Sequence, residues 1–237
     1  MNKKAITFGI TFVIAVLVII GVAIYFFAVT QKKTLQNTLT AKEILDFEQE
    51  KTRIEVYTKK AFELAMGEAL HAMAERSLIE DFSECLFYES KPIWQENCKP
   101  ENLKAWFFKI FSEKFSELIK RYPQEINFSY ELFNNAIKVK IEFERKKNNS
   151  FNSFHGKSQA NFAVETNFTE LENLYQKLMN CKNKDGNCFK EISLNEWYIE
   201  AEKKGEYFSI TIRSKKRYFF RKADSLVFEK IETEFLV

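Results

Sequence analysis

The chain has 237 residues, with 36 Lys and Arg against 33 Asp and Glu, for a net charge of +3. That balance excludes a chain built chiefly as a basic nucleic-acid binder or an acidic tail. Hydrophobic residues at 46%, with only 6 Gly and 3 Pro, exclude disorder, collagen and a loop-rich disulfide scaffold. A mean hydropathy of −0.33 excludes a polytopic membrane protein.

The apolar residues are unevenly placed. Residues 5–29, AITFGITFVIAVLVIIGVAIYFFAV, carry no charge. As a helix they would be about 37 Å long, enough to cross a hydrocarbon core of about 30 Å. The stretch has no polar face, as a soluble core helix of this length would need. Tyr25, Phe26 and Phe27 suit an interfacial aromatic belt. The run is longer than the core of a cleavable signal peptide, about 7–15 residues, and no A-x-A site follows it. Residues 5–29 therefore read as an uncleaved transmembrane signal anchor.

Lys3 and Lys4 on one side and Lys32 and Lys33 on the other leave the orientation even. The cysteines decide it. Cys85, Cys98, Cys181 and Cys188 all follow the anchor. Pairing neighbours, Cys85 with Cys98 and Cys181 with Cys188, closes the shortest loops. Neither spacing is the tight C-x2-4-C of a zinc knuckle, and free thiols are the remaining alternative. Two disulfides favour an oxidising exterior. Residues 1–4 are then expected in the cytoplasm, with the C-terminal domain extracytoplasmic in a single-pass arrangement at the cell membrane.

Residues 30–40, TQKKTLQNTLT, read as a polar stalk. Thr40 to Glu43 has the form of a capping box, so a helix is expected over 41–76. Ile44, Phe47, Ile54, Tyr57, Ala61, Ala65, Ala69 and Ala72 recur at helical spacing. A helical stalk would join this helix to the anchor as one rod. Ser77 to Glu80 is a second capping box and predicts a short helix toward Cys85. Pro92 and Pro100 bracket a loop holding Cys98.

From Leu103 to Tyr122 the apolar positions are strictly helical, and Pro123 ends the pattern. The period then changes to two. Ile126 to Leu132 and Ile137 to Phe143 predict a hairpin turning at Asn134-Asn135. Residues 146–158 read as a polar loop, Phe162 and Val164 as a third strand, and 169–179 as a helix. Strands are expected over 197–202 and 207–213, with one or two more over 217–220 and 225–235.

Helices come early and strands late, without βαβ alternation. The expected fold class is α+β, with a long Ala-rich helix and an amphipathic helix packed on a largely antiparallel sheet. The exterior domain would span 41–237, with a helical part at 41–123 and a strand-rich part at 124–237.

Chemistry-bearing patterns are sparse. Glu68, His71 and Glu75 share one helical face, but a di-iron bundle needs a second E-x-x-H, and the chain has only 2 His. A solvated face is the simpler reading. His155 lies near Ser150, Ser153 and Ser158 without a G-x-S-x-G turn, so an exterior hydrolase using His155 or His71 is the weaker rival to a flexible loop. No two glycines are spaced for a phosphate loop. No catalytic residue, cofactor or metal site is expected.

Arg213, Lys215, Lys216, Arg217, Arg221 and Lys222 form a basic run broken by Tyr218, Phe219 and Phe220. It reads either as a strand-turn-strand with solvated charges or as a contact for nucleic acid, anionic lipid or an anionic surface polymer. Ala61, Ala65, Ala69 and Ala72 form a small-residue ridge, with Gly67 nearby. The ridge suits close packing within the domain or between copies. N-x-S/T sequons start at Asn127, Asn148 and Asn167.

The plan of a two-Lys N-terminus, one span, a long Ala-rich helix and a cysteine-bearing α+β exterior resembles single-span surface proteins common in archaea. Lys4-Ala5 followed by Ile6-Thr7 and an apolar run is similar to the prepilin-peptidase site of type IV pilin-like proteins. That resemblance implies cleavage after Ala5 and a filament subunit. The glutamate usual at the fifth mature position of that family is Ile10 here. The expected role is a non-enzymatic structural or interaction module of a cell-surface assembly. Its expected partners are the lipid bilayer through 5–29 and a protein partner or second copy.

Overall fold

A computed structural model describes residues 3–123, 126–133, 136–146, 153–164, 166–182, 187–223 and 225–237. At 3–19, 33–41, 43, 126, 132, 133, 136, 143–146, 153–161, 163 and 187 it describes the backbone alone. The chain divides into two compact units, Met1–Arg53 and Ile54–Val237.

The first unit is helical throughout its described part, within the single helix α1, Lys3–Glu75. The polar stretch 30–40 is helical, and no helix begins at Ala41. Thr40 and Glu43 lie inside a running helix, where the preceding turn already supplies the carbonyls a cap would replace. Among the described residues no helix is long and apolar enough to cross a membrane. The expected span falls mostly, over 5–19, on residues whose side chains lie outside the description.

In the second unit, α1 ends at Glu75 and the chain turns sharply, with Ser77 and Leu78 at positive φ. The short helix expected from Ser77 does not form. The Ser77 hydroxyl instead donates to the Glu234 carbonyl at 2.9 Å, anchoring the turn to the C-terminal strand. Strands β1 (Leu86–Tyr88) and β2 (Lys91–Ile93) then make a hairpin, which takes in only the Pro92 end of the loop expected between Pro92 and Pro100. Both turn residues, Glu89 and Ser90, have positive φ, as a type I′ turn requires. Pro92 pairs with Phe87, one step from the turn. That is a non-hydrogen-bonded pair of the β1–β2 ladder, so the missing N–H breaks no bond to β1.

Helix α2 (Leu103–Lys120) follows the predicted pattern and stops before Pro123. Asn102 precedes it with φ 52° and no side-chain cap. Glu172 caps it from elsewhere, accepting the Leu103 N–H at 2.8 Å. The aromatic face of α2 forms the middle of the core. Phe111 lies 5.2 Å from Phe62 of α1, and Phe115 lies 5.6 Å from Phe128. Phe62 also stacks on Phe162 at 4.2 Å, tying α1 to the smaller sheet.

That sheet is antiparallel, with β3 (Ile126–Phe133), β4 (Ala136–Lys146) and β5 (Ser153–Ala163) in sequence order. Ile137, Val139 and Ile141 are buried on its dry face. The expected polar loop at 146–158 is overturned over 153–158, which pairs with β4 in register. Polar residues can form a strand when a partner strand supplies the ladder.

Helices α3 (Phe168–Lys182) and α4 (Asn187–Lys190) precede β6 (Trp197–Lys204), β7 (Tyr207–Lys222) and β8 (Ser225–Leu236). Gly205 takes φ 61° in the turn between β6 and β7. The larger sheet runs β1-β2-β8-β7-β6. It is antiparallel except where β2 meets β8 at Ile93 and Leu236. The fold is therefore α+β with a mostly antiparallel sheet. The expected split into helical and strand-rich parts is not kept, because β1 and β2 come from the first and join the C-terminal strands of the second.

Candidate functional site

Both disulfides form between sequence neighbours, Cys85 with Cys98 (Cα separation 5.0 Å) and Cys181 with Cys188 (5.5 Å). The first closes the segment carrying the β1–β2 hairpin. The second links α3 to α4.

The basic run lies almost wholly on β7, and its register sorts it. Between the Arg213–Glu232 and Arg217–Lys230 pairs, β7 has two residues more than β8. The inward parity survives this irregularity. Ile210, Ile212, Ser214, Tyr218 and Phe220 are all buried. Ser214 holds the irregular turn, donating to the Lys216 carbonyl at 2.7 Å and accepting the Ile231 N–H at 2.8 Å.

The opposite parity carries Arg217 and Phe219 on β7, with Leu226, Phe228 and Lys230 on β8. All five are exposed. Phe219 stacks on Phe228 at 4.4 Å. Lys230 stands 5.0 Å over the ring of Tyr198, an exposed residue of β6. The outcome is an outer face of apolar side chains flanked by cations. Sequence reading found Arg217 but missed Lys230, Leu226 and Phe228. Only the strand pairing brings them alongside.

The other cations of the run are engaged. Arg213 is paired with Glu232, and Lys222 with Glu229 at 3.7 Å. The Lys215 ammonium donates to the carbonyls of Leu194 and Asn195, each at 2.8 Å. Lys216 is exposed on the strand. Arg221 makes a two-point ion pair with Glu68 of α1 and lies 4.0 Å from Glu117.

That pairing overturns the solvated reading of the Glu68 face. Glu68 is only 6% exposed. The hydrogen bond from Arg221 to its carboxylate raises the guanidinium pKa above its ordinary value. His71 stacks on Phe220 at 4.2 Å, and its Nε2 lies 3.3 Å from Glu75. Together with Lys114 these residues line a cleft of about 520 Å³. Within it the Arg221–Glu68 ion pair joins α1 to β7. Among the described residues no group of three or more His, Cys, Asp or Glu could hold a metal ion.

The alanine ridge is inside the domain. Ala61, Ala65 and Ala69 are buried, and Ala72 borders the cleft. The closest approach is at Gly67, where a Cβ would lie 1.9 Å from the Phe219 carbonyl oxygen. Of the residues invoked for an exterior hydrolase, Ser150 lies outside the description entirely and Ser153, His155 and Ser158 in their side chains, while His71 is on α1 against Phe220. Among the sequons, Asn148 is outside the description and Asn127 is exposed on β3. Asn167 caps α3 by accepting the Glu170 N–H at 3.2 Å.

A second surface surrounds β1. Leu86, Phe87 and Tyr88 are 61%, 52% and 42% exposed. Among the described residues the strand pairs only with β2, at one edge. Phe82 lies 5.7 Å from Phe87, and Tyr207 lies 5.5 Å from Tyr88. Beside it is a cleft of about 820 Å³ lined by Glu80, Asp81, Glu84, Glu96 and Glu101. Asp81 is held below the usual carboxylate range, first by the Ser83 backbone N–H. Lys99 and Lys109 neutralise Glu101 and Glu80. Asp81, Glu84, Glu89 and Glu96 form no ion pair among the described residues.

Comparison of the chain with protein-family models, curated proteins and solved structures gives no match.

Proposed function

We propose that this chain is a membrane-anchored, extracytoplasmic interaction module of a cell-surface assembly, acting by binding and not by catalysis. The observation that carries the reading is the charge-free stretch 5–29 followed by two disulfides. Disulfides persist in oxidising compartments, and an apolar anchor ahead of them holds the domain at that surface. The exposed apolar groups on β1 and on the β7–β8 face give such a module two surfaces with which to bind.

The test is thiol labelling of intact cells with a membrane-impermeant maleimide, before and after reduction, read by intact mass. Labelling of the four cysteines only after reduction is the expected result. Four thiols that react in unreduced, lysed cells but not in intact ones would sink the reading.

A second reading, a type IV pilin-like filament subunit, is favoured by one feature: α1 is unbroken from Lys3 to Glu75. The same mass spectrum tests it. A chain lacking residues 1–5 supports the pilin-like reading, and a chain that retains them excludes processing after Ala5.

A further inference from the structure

We propose that the two exposed faces of the larger sheet bind each other between copies of this chain. The β1 edge of one copy would seat on the outer face of the β7–β8 hairpin of the next. The proposal deepens the surface-assembly reading by naming the partner as a second copy. It uses only the unit Ile54–Val237.

Charge complementarity is the first argument. Segment 80–101 holds six carboxylates and two lysines in a chain whose net charge is +3. Its lysines are engaged, Lys91 with Glu234 and Lys99 with Glu101. The β1 surface therefore presents the carboxylates of Glu84, Glu89 and Glu96, which form no ion pair among the described residues. The hairpin face presents Arg217 and Lys230. Opposite fields of this kind fix register and speed encounter.

Apolar complementarity is the second. Each face exposes rings and an aliphatic side chain: Leu86, Phe87 and Tyr88 on one, Tyr198, Phe219, Leu226 and Phe228 on the other. Within β1 itself no residue is charged, so this edge strand carries only apolar side chains between its flanking carboxylates. A polyanion is the poorer occupant of the hairpin face. Four cations of the basic run are already bound within the domain, and a backbone of phosphates or sulfates gives Leu226 and Phe228 nothing to bury against. A copy of the same chain supplies both the carboxylates and the apolar cover.

The two faces are different, so the contact is heterologous and propagates head to tail. The test uses the full chain in detergent, with association followed by sedimentation velocity at about 50 mM and about 500 mM salt. Wild type should associate at low salt and dissociate at high salt. R217E/K230E leaves both faces negative, and E84K/E89K/E96K, which takes segment 80–101 from a net negative to a net positive charge, leaves both positive. Each variant alone should lose association by at least about tenfold. An equal mixture of the two should recover it, because each reversed face meets its complement on the other variant. Recovery also shows that both variants are folded.

A wild type that stays monomeric at low salt overturns the proposal. So does association that neither reversal weakens, or a mixture that stays monomeric. Binding of heparin or anionic vesicles through Arg217 and Lys230, without self-association, assigns the face to a polyanion and overturns it as well. None of these outcomes touches the thiol-labelling result, so failure here is distinct from failure of the anchored reading.

Discussion

Two parts of the larger sheet are held by different means. Where α1 crosses β7, burial does the holding. Ala65, Ala69 and Met73 are buried, and Gly67 lets the helix approach the strand backbone. The β1–β2 hairpin has no such support on β1, whose three side chains all face water. It is held by the Cys85–Cys98 bond, by β2, and by the contact of Trp94 with Phe235 at 3.4 Å. The difference decides which side chains are spare. A region fixed by packing must turn its apolar groups inward. A region fixed by a covalent bond can turn them outward, where they are available to a partner.

The strongest way to break the comparison is at Gly67. Helical glycine costs about 1 kcal/mol relative to alanine, so its presence in mid-helix has to serve packing. Gly67→Val places branched carbon against the Phe219 carbonyl, which is backbone and cannot rotate aside. The expected loss is about 3 kcal/mol or more in urea unfolding. Stability within about 0.5 kcal/mol of wild type would show that helix and strand do not meet closely. Next comes the covalent side. C85S/C98S opens a loop with a sequence separation of 13 residues. The loss should be about 2–3 kcal/mol, with faster hydrogen exchange over 77–101 and little change in α2.

The same division explains what could be read in the sequence. Elements shaped by burial carry a period, and α2, the β3–β4 hairpin and the strands from Trp197 onward follow theirs. The β1–β2 hairpin is only three residues a side and turns on Glu89-Ser90, not on glycine or asparagine, so it left no pattern. Glu68 looked solvated because its partner, Arg221, is 153 residues away. The basic run was legible as composition. Which of its cations are engaged was not, because Glu232, Glu229 and Glu68 reach it only through strand register and helix packing. Thr40 and Ser77 show the limit of local signals: a capping box cannot start a helix that is already running, nor one whose serine is claimed by β8.

A smaller effect tests the polar tie between the hairpin and the sheet. The Glu234 carboxylate is bound by Lys91 of β2 and Ser209 of β7, with Lys204 at 3.5 Å. The hydrogen bond from Lys91 is the first cause holding its pKa below the ordinary carboxylate value. A depressed folded-state pKa means that the contribution is complete above the unfolded value, about 4.3, and is lost as pH falls through the folded one. Wild-type Tm should therefore drop on acidification below that range. Glu234→Gln should lower Tm at neutral pH and flatten this part of the acid slope. An unchanged slope would mean that the ion pair does not form.

The smallest effect is the most informative about function. If the disulfide and β2 hold the hairpin, Leu86 and Phe87 contribute nothing to folding, since both are more than half exposed. Leu86→Ser with Phe87→Ser should then leave unfolding within about 0.5 kcal/mol of wild type. A loss of more than about 1.5 kcal/mol would place these side chains in the core and remove the contrast with α1. The double variant should in addition self-associate less at low salt. Apolar residues on an open sheet edge expose a chain to aggregation, and a sequence that needs them for folding has no choice. Here Cys85–Cys98 and the β2–β8 pairing would hold the strand with serine at both positions. A large association defect alongside unchanged stability would therefore identify binding as the reason these side chains are apolar.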